Sequence, residues 1–371
     1  DVLDEIFRAA GTSLDEQLTL VGGDPWFRYR YPDGLCLEIS EDLEATMANV
    51  ESALGTRARR EFDDFLRYAR RIWEAAAPNF VFAPAPSIGS MLRLGLRSVS
   101  ALRDIDPMNT MWSAIERRVS DEHLRWLLAR YATYVGSHPK EAPATLNCIA
   151  WVELGLGSRA AEGGMAEVAG ALERVARRQG VEFRYATPVR TIQTDGGRVA
   201  GVETDAGGEA FDAVVVNAGV RHLVDELLPG GHGADLQPQE PPSMSGWTAM
   251  LKAKRRPADE RAPHTVLFPE NYLEEFAAVF ERGRPPAEPT VYLCAQEKSH
   301  RRQGWPDAEP VFAMVNAPPE PSAGATDPAV WERLRERVLE RLGGAGLIEA
   351  GDEVVWERTP TQLAERFPGS R

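Results

Sequence analysis

The side chains that most often carry catalysis are few and dispersed in this chain. Its six histidines, His123, His138, His222, His232, His264 and His300, stand singly, and none falls into HExxH or another metal-ligating spacing. The three cysteines, Cys36, Cys148 and Cys294, lie far apart with no CxxC between them. That pattern points to reduced, buried thiols rather than a zinc site or a disulfide framework. No GxSxG turn presents a serine nucleophile, and no P-loop cradles a triphosphate. A hydrolase or a nucleoside triphosphatase is therefore disfavoured. Two readings remain: a non-catalytic binding protein, or an enzyme whose chemistry belongs to a bound cofactor while the protein supplies orientation and a dry cavity.

Composition narrows the partners. The chain has 371 residues, of which 43% are hydrophobic and 26% charged, enough for one large globular unit or two interleaved domains. Its net charge of -14 argues against a nucleic-acid partner, because a phosphate backbone needs a basic face. No apolar run is long enough to predict a transmembrane helix and no signal peptide is visible, so a cytoplasmic location is expected. The chain opens at Asp1 inside a helical stripe (Val2, Leu3, Ile6, Phe7, Ala10) and ends abruptly at Arg371, which reads as a fragment of a longer protein.

The elements that would hold a cofactor are legible in the middle of the chain. Gly163-Gly164 precedes a predicted helix with Met165, Val168, Ala169, Leu172, Val175 and Ala176 on one face, stopped at Gln179-Gly180. A strand is expected over 181–185. A meander then runs through 189–193 and 199–203, with turns at Asp195-Gly196-Gly197 and Asp205-Ala206-Gly207-Gly208. The continuously apolar run 211–216 suits a parallel strand buried on both faces. It ends in Asn217-Ala218-Gly219, and a small-residue turn at the carboxyl end of a parallel strand is where open α/β sheets bind ligands.

Around this lies a second body. Residues 27–39 read as a hairpin turning at Pro32-Asp33-Gly34, and 41–135 as mostly helical. A long helix over 56–77 places Phe62, Phe65, Ala69, Ile72 and Trp73 on one side. Further strands are expected around 248–253, 264–268, 290–294, 311–316 and 353–357, with helices over 271–282 and 331–342. One segment is unusual. Ile88, Met91, Leu92 and Leu96 form part of a wide apolar helical face, with Arg93 and Arg97 beside it. Such a basic amphipathic helix could be an interfacial membrane contact, a gate for a lipid-like substrate, or an ordinary cap helix.

From about residue 131 the chain resembles the bacterial phytoene desaturase family of carotenoid desaturases. The resemblance rests on Tyr131-Ala132-Thr133-Tyr134-Val135-Gly136-Ser137-His138-Pro139, on Glu141 to Thr145, on Glu162-Gly163-Gly164-Met165, and on 211–218 followed by His222. His264 to Phe268, Pro289 to Cys294 and Val315-Asn316-Ala317-Pro318 follow in the family's order. The run from Tyr134 to Thr145 and the Val-Asn-Ala-Pro-Pro run look most like the 1-hydroxycarotenoid 3,4-desaturase, or methoxyneurosporene dehydrogenase, type.

The resemblance implies an α/β protein. It would join an incomplete FAD-binding domain of the glutathione-reductase type to an amine-oxidase-like substrate domain of mixed sheet plus helical cap. By that division, 1–18 end an FAD-domain segment and 19–158 belong to the substrate domain, with the cap at 41–135. Residues 159–229 would be the middle FAD segment, and 230–371 the rest of the substrate domain. The family's dinucleotide GxGxxG and its second Gly-rich flavin motif would lie outside this chain, leaving the fragment itself inactive. The implied cofactor is FAD. The backbone of Val189 would face the adenine, Asn217 and Ala218 would lie near the dinucleotide, and Gly163 and Gly164 near the flavin. Ala161-Glu162 stands where many members have Pro-Arg or Pro-Lys, which removes a cation from that turn. The implied activity is insertion of C=C bonds into an acyclic carotenoid, a hydrophobic substrate, by an enzyme peripheral on the cytoplasmic membrane. On that reading the helix bearing Ile88 to Arg97 is a membrane contact. A carotenoid oxygenase, ketolase or isomerase on the same scaffold, and a non-catalytic lipid-binding protein, are the alternatives.

Overall fold

The computed structural model describes residues 2–83, 104–228, 243–320 and 326–367. Its largest element is a mixed seven-stranded sheet. The strands are β2 (Phe27–Arg30), β3 (Cys36–Ile39), β8 (Ser245–Lys254), β9 (His264–Leu267), β10 (Val291–Ala295), β11 (Ala308–Ala317) and β12 (Glu353–Arg358), in the order β12-β8-β11-β10-β9-β2-β3. All neighbours are antiparallel except β2 and β9. The predicted hairpin is β2–β3, and the register Phe27↔Ile39 to Arg30↔Cys36 follows from the short turn between them. That hairpin joins the later strands through β9, so the sheet is stitched from residues far apart in sequence.

Alternation along the strands gives each face its own partner. Trp247, Leu251, Leu293, Val311 and Ala313 point to one side, where they bury Trp331, Leu334, Val338 and Leu342 of the helix Pro328–Gly344. On the other side a row of directly opposed residues crosses five strands: Tyr29, Val266, Tyr292, Met314 and Thr248. This second face meets the helical cap.

The cap begins with a long helical element, Leu43–Ala76, started by the Asp42 carboxylate, which accepts the Glu44 amide at 2.9 Å. At Gly55 the backbone adopts φ 88° and ψ 169°, so the element is two helices meeting at a glycine. Its second half buries Phe62, Phe65, Ala69 and Ile72 as the periodicity predicts, with Trp73 half-buried. Helices Met111–Glu116, Glu122–Ala129 and Cys148–Leu154 complete one core with Tyr29, Phe268 and Tyr272 from the sheet side. Among the described residues no helix is long and apolar enough to cross a membrane.

The middle segment forms a separate layer. Leu20–Val21 (β1) pairs with Ala160–Ala161 (β4), and the helix Ala166–Arg178 packs on Phe7, Leu14 and Leu18. Of the expected stripe on that helix, Val175 is buried and Val168 and Leu172 are half-buried, while Met165 is exposed. The meander is present as β5 (Val189–Asp195), β6 (Arg198–Thr204) and β7 (Gly207–Ala210). Two expectations are corrected here. Neither 181–185 nor 211–216 is a strand. A strand needs a hydrogen-bonding neighbour along its length, and among the described residues the meander pairs only within itself; past Phe211, whose amide donates to the Ala200 carbonyl at 3.1 Å, it offers these runs no strand to pair with. Val215 consequently lies 95% exposed instead of buried on both faces.

Candidate functional site

Between the cap and the inner face of the sheet lies a cavity of about 540 Å³. Its floor is built by Phe27, Val266, Tyr292 and Met314, and its roof by Arg130 and Tyr134. The floor follows from strand register: Val266, Tyr292 and Met314 are directly opposed on β9, β10 and β11. The roof residues stand four apart in the 3-10 turn Arg130–Val135, which continues the helix Glu122–Ala129. Tyr272, Thr290 and Asn316 close a polar end.

The roof is held by a buried ion pair. Arg130 Nη2 lies 3.3 Å from Glu153 Oε1, and both side chains are under 10% exposed, at 9% and 8%. Arg130 Nη2 also donates to the Tyr29 hydroxyl at 2.7 Å, while Tyr131 donates to Glu153 at 2.8 Å. Tyr134 donates to the other Glu153 oxygen. The guanidinium sits 5.2 Å from the Tyr131 and Tyr134 ring centroids and 5.4 Å from that of Tyr29. Burial works against the charge on Arg130, but the surrounding tyrosine and glutamate oxygens more than offset it and its pKa is raised. The pair is thus charged and self-compensated, so the roof presents no net charge to the cavity.

Beside the floor, on the same face of the sheet, His264 stacks on Phe27 at 4.8 Å and meets Trp26 edge-on at 4.8 Å. Burial pushes its imidazole down to about 3, so the ring is neutral at ordinary pH. Its Nδ1 lies 2.7 Å from the Tyr292 hydroxyl, which fixes that phenol at the cavity wall. Among the described residues that line the cavity, only Arg130, Tyr134, Tyr272 and Tyr292 can ionise. Burial raises the pKa of Tyr272 and of Tyr292 well above the usual tyrosine range. None of these described residues offers a carboxylate, imidazole or thiol for proton transfer. The cavity is an aromatic and aliphatic slot with a few fixed polar atoms, the kind of site that holds an apolar molecule in a defined orientation.

Those polar atoms are not all satisfied. The Tyr272 hydroxyl and Arg130 Nε are buried without a hydrogen-bond partner among the described residues, a condition that costs about 1–3 kcal/mol per group, whereas the Thr290 hydroxyl faces the Glu275 carboxyl. Nearby, Glu275 is 1% exposed and accepts from the Thr290 amide at 2.7 Å and from Asn316 Nδ2 at 2.6 Å. Burial raises the pKa of this carboxyl, against the pull of those donors.

The residues assigned to FAD by sequence resemblance fall into two groups. Gly163 and Gly164 lie in the turn before Ala166–Arg178, with φ 86° and 110° that disfavour any side chain. The Gly163 amide donates to the His300 carbonyl at 2.8 Å, and a Cβ on Gly164 would come no closer than 3.7 Å to Arg302. Gly164 is buried, and a Cβ there would be in ordinary van der Waals contact with Arg302, which brings a cation to a turn that carries Glu162. Val189 opens β5 and is 38% exposed; Asn217 and Ala218 are exposed in the extended run after β7. No hydrogen bond joins the two groups. The side-chain-free turn, and the backbone at 212–218 whose amides have no acceptor among the described residues, are what one side of a dinucleotide cradle would need. Ile88, Met91, Leu92, Arg93, Leu96 and Arg97 lie outside the described residues. Among the described residues no cluster of side chains is arranged to hold a metal ion.

Sequence reading alone did not single out Arg130, Glu153, Tyr272, Tyr292 or Glu275 as a site. One signal was present: Glu153 lies three residues after buried Ala150 and next to buried Leu154, so an acid sits on an apolar helix face and must find a partner.

Residues 112–361, more than half of the chain, match the family described as FAD dependent oxidoreductase. The chain belongs to that family, and within it to the carotenoid desaturases. It is 33% identical over 357 residues to a hydroxyneurosporene desaturase of Rubrivivax gelatinosus, covering 93% of this chain and 66% of that protein. A second hydroxyneurosporene desaturase, of Rhodobacter capsulatus, is 32% identical, with 100% of this chain and 74% of that protein covered. A 4,4'-diapolycopene oxygenase of a Methylomonas species is 28% identical, over 94% of this chain and 70% of that protein. The chain thus spans about two thirds to three quarters of the length of these relatives. Among solved structures, an oxidoreductase of Methanosarcina mazei has the same fold, with a TM-score of 0.55 at 16% identity, over 92% of this chain and 69% of that one. FAD is the cofactor of the family.

Proposed function

We propose that the protein removes two hydrogens from an acyclic carotenoid, forming a new C=C bond, with the roughly 540 Å³ cavity holding the hydrocarbon. The observation that carries this reading is the cavity lining: aromatic and aliphatic walls, a self-neutralised Arg130–Glu153 roof, and no group that titrates near neutrality. A polyene offers almost nothing to a polar hook, so alignment by an apolar slot is what such a substrate requires. Two C–H bonds break and one C=C bond forms. The chemistry FAD would supply when bound is two-electron oxidation, with net uptake of both hydrogens, one as a hydride equivalent and one as a proton. The protein's own part is to exclude water, fix the rotation of the chain and keep charge away from the reacting carbons.

Residues 159–229 are our candidate for the middle FAD-binding segment, with Gly163, Gly164, Val189, Asn217 and Ala218 against the cofactor. The flanking parts, 19–158 and 230–371, would form the substrate domain. The hydroxyneurosporene desaturases among the relatives favour a carotenoid that bears a hydroxyl. The oxygenase among them defines the competing activity on the same scaffold. Product mass separates the two: loss of about 2 Da for desaturation, a gain of oxygen for oxygenation. Membrane association at the segment carrying Ile88, Met91, Leu92 and Leu96 would let the substrate leave a bilayer without crossing water.

A further inference from the structure

The polar end of the cavity contains more hydrogen-bonding capacity than an all-hydrocarbon occupant could use. Tyr272 is 0% exposed and Thr290 7% exposed, and both line the cavity. The Tyr272 hydroxyl has no partner among the described residues, while the Thr290 hydroxyl faces the Glu275 carboxyl and keeps its oxygen free to accept. Native interiors rarely leave a fully buried phenol unsatisfied. Both residues are also held rigidly. The Tyr272 ring is wedged edge-on between Phe268 at 4.9 Å and Phe276 at 5.1 Å, so its hydroxyl cannot swing out to water. Thr290 is pinned through its amide to Glu275, the same carboxyl that takes the side-chain amide of cavity-lining Asn316. Glu275 lies on the helix Tyr272–Phe276, so one short helix supplies the free Tyr272 hydroxyl and the carboxyl that anchors Thr290. The result is a preorganised pair presenting a phenol donor and an alcohol oxygen free to accept.

We propose that Tyr272 and Thr290 are specificity-determining residues that hydrogen-bond a hydroxyl carried by the carotenoid. An alcohol oxygen accepts from Tyr272 while its proton goes to the Thr290 oxygen, whose own hydroxyl proton is directed to Glu275. A site built this way discriminates strongly against the same molecule lacking the oxygen, because the deoxy analogue leaves buried polar groups unpaired. This rests on the desaturase reading above, and deepens it by naming the residues that read one functional group.

The test uses the FAD-loaded protein and two acyclic carotenoids identical except for one terminal hydroxyl. Y272F and T290V keep the shape of each side chain while removing its hydrogen-bonding hydroxyl. The expected result is a fall of about 10- to 100-fold in the ratio of kcat/KM for the hydroxylated over the deoxy carotenoid. Equal losses on both substrates, or no change on either, overturn the proposal. The latter would indicate that an ordered water satisfies the pair. Dissociation constants for both carotenoids, from quenching of tryptophan fluorescence, give a second readout. If the wild-type protein dehydrogenates neither carotenoid, the desaturase reading fails. The binding ratio and its loss in Y272F and T290V still decide the hydroxyl contact.

Discussion

Replacing Arg130 with methionine strands the Glu153 carboxylate in the roof of the cavity. At 3.3 Å and an effective dielectric of about 20, the Coulomb attraction between the two is about 5 kcal/mol. Removing one partner from a buried pair costs about 3–5 kcal/mol when the remaining charge is unpaired. Here the stranded carboxylate keeps the hydroxyls of Tyr131 and Tyr134, so a loss of about 2–4 kcal/mol is expected. Glu153→Leu leaves the guanidinium with the Tyr29 hydroxyl and three tyrosine rings, and a loss in the same range follows. The double variant removes both charges and inserts apolar volume, and should recover most of the loss. Urea unfolding of the four proteins closes a double-mutant cycle with a coupling of at least about 2 kcal/mol. Single losses below about 1 kcal/mol, or losses additive within about 0.5 kcal/mol, would refute the claim that the roof is a desolvated, self-compensated pair.

Acidification acts through His264. Its folded pKa is about 3 against an ordinary value of 6.5. The unfolded chain therefore binds more protons between those limits, and stability falls as pH drops from about 6.5, by about 1.4 kcal/mol per pH unit for this one group. Burial lowers the pKa of His138 and His300 as well, adding loss of the same sign. In H264F the pH 7 to pH 5 difference in urea-unfolding free energy should shrink, and an unchanged difference would speak against a buried neutral imidazole. Substituting Gly164 with valine, at φ 110°, should weaken FAD retention at least about 10-fold on dilution while leaving the far-UV circular dichroism intact. Arg93→Glu together with Arg97→Glu should abolish most sedimentation with anionic liposomes, and full retention would exclude that segment as the membrane contact.

Local periodicity made the elements legible. The β2–β3 hairpin, the helix Ala166–Arg178 and the meander β5–β7 each carry their pattern within a few adjacent turns. The strands expected at 181–185 and 211–216 did not form, because hydrophobicity describes only the run itself while a strand also requires a neighbour. The cavity was illegible for a related reason. Its floor is a row across β9, β10 and β11, set by pairing register rather than by any one segment. Arg130 and Glu153, the pair in its roof, lie 23 residues apart with a turn and two helical segments between them. Neither residue type is unusual in its own window. Only the apolar neighbours Ala150 and Leu154 hinted that Glu153 was buried.

The central claim is that the cavity serves dehydrogenation of an acyclic carotenoid. The direct measurement is the mass of the product formed when the FAD-loaded protein meets an acyclic carotenoid in liposomes. The account predicts a product lighter by about 2 Da with a polyene absorption shifted to longer wavelength, and a product heavier by oxygen, or an unaltered mass, would contradict it.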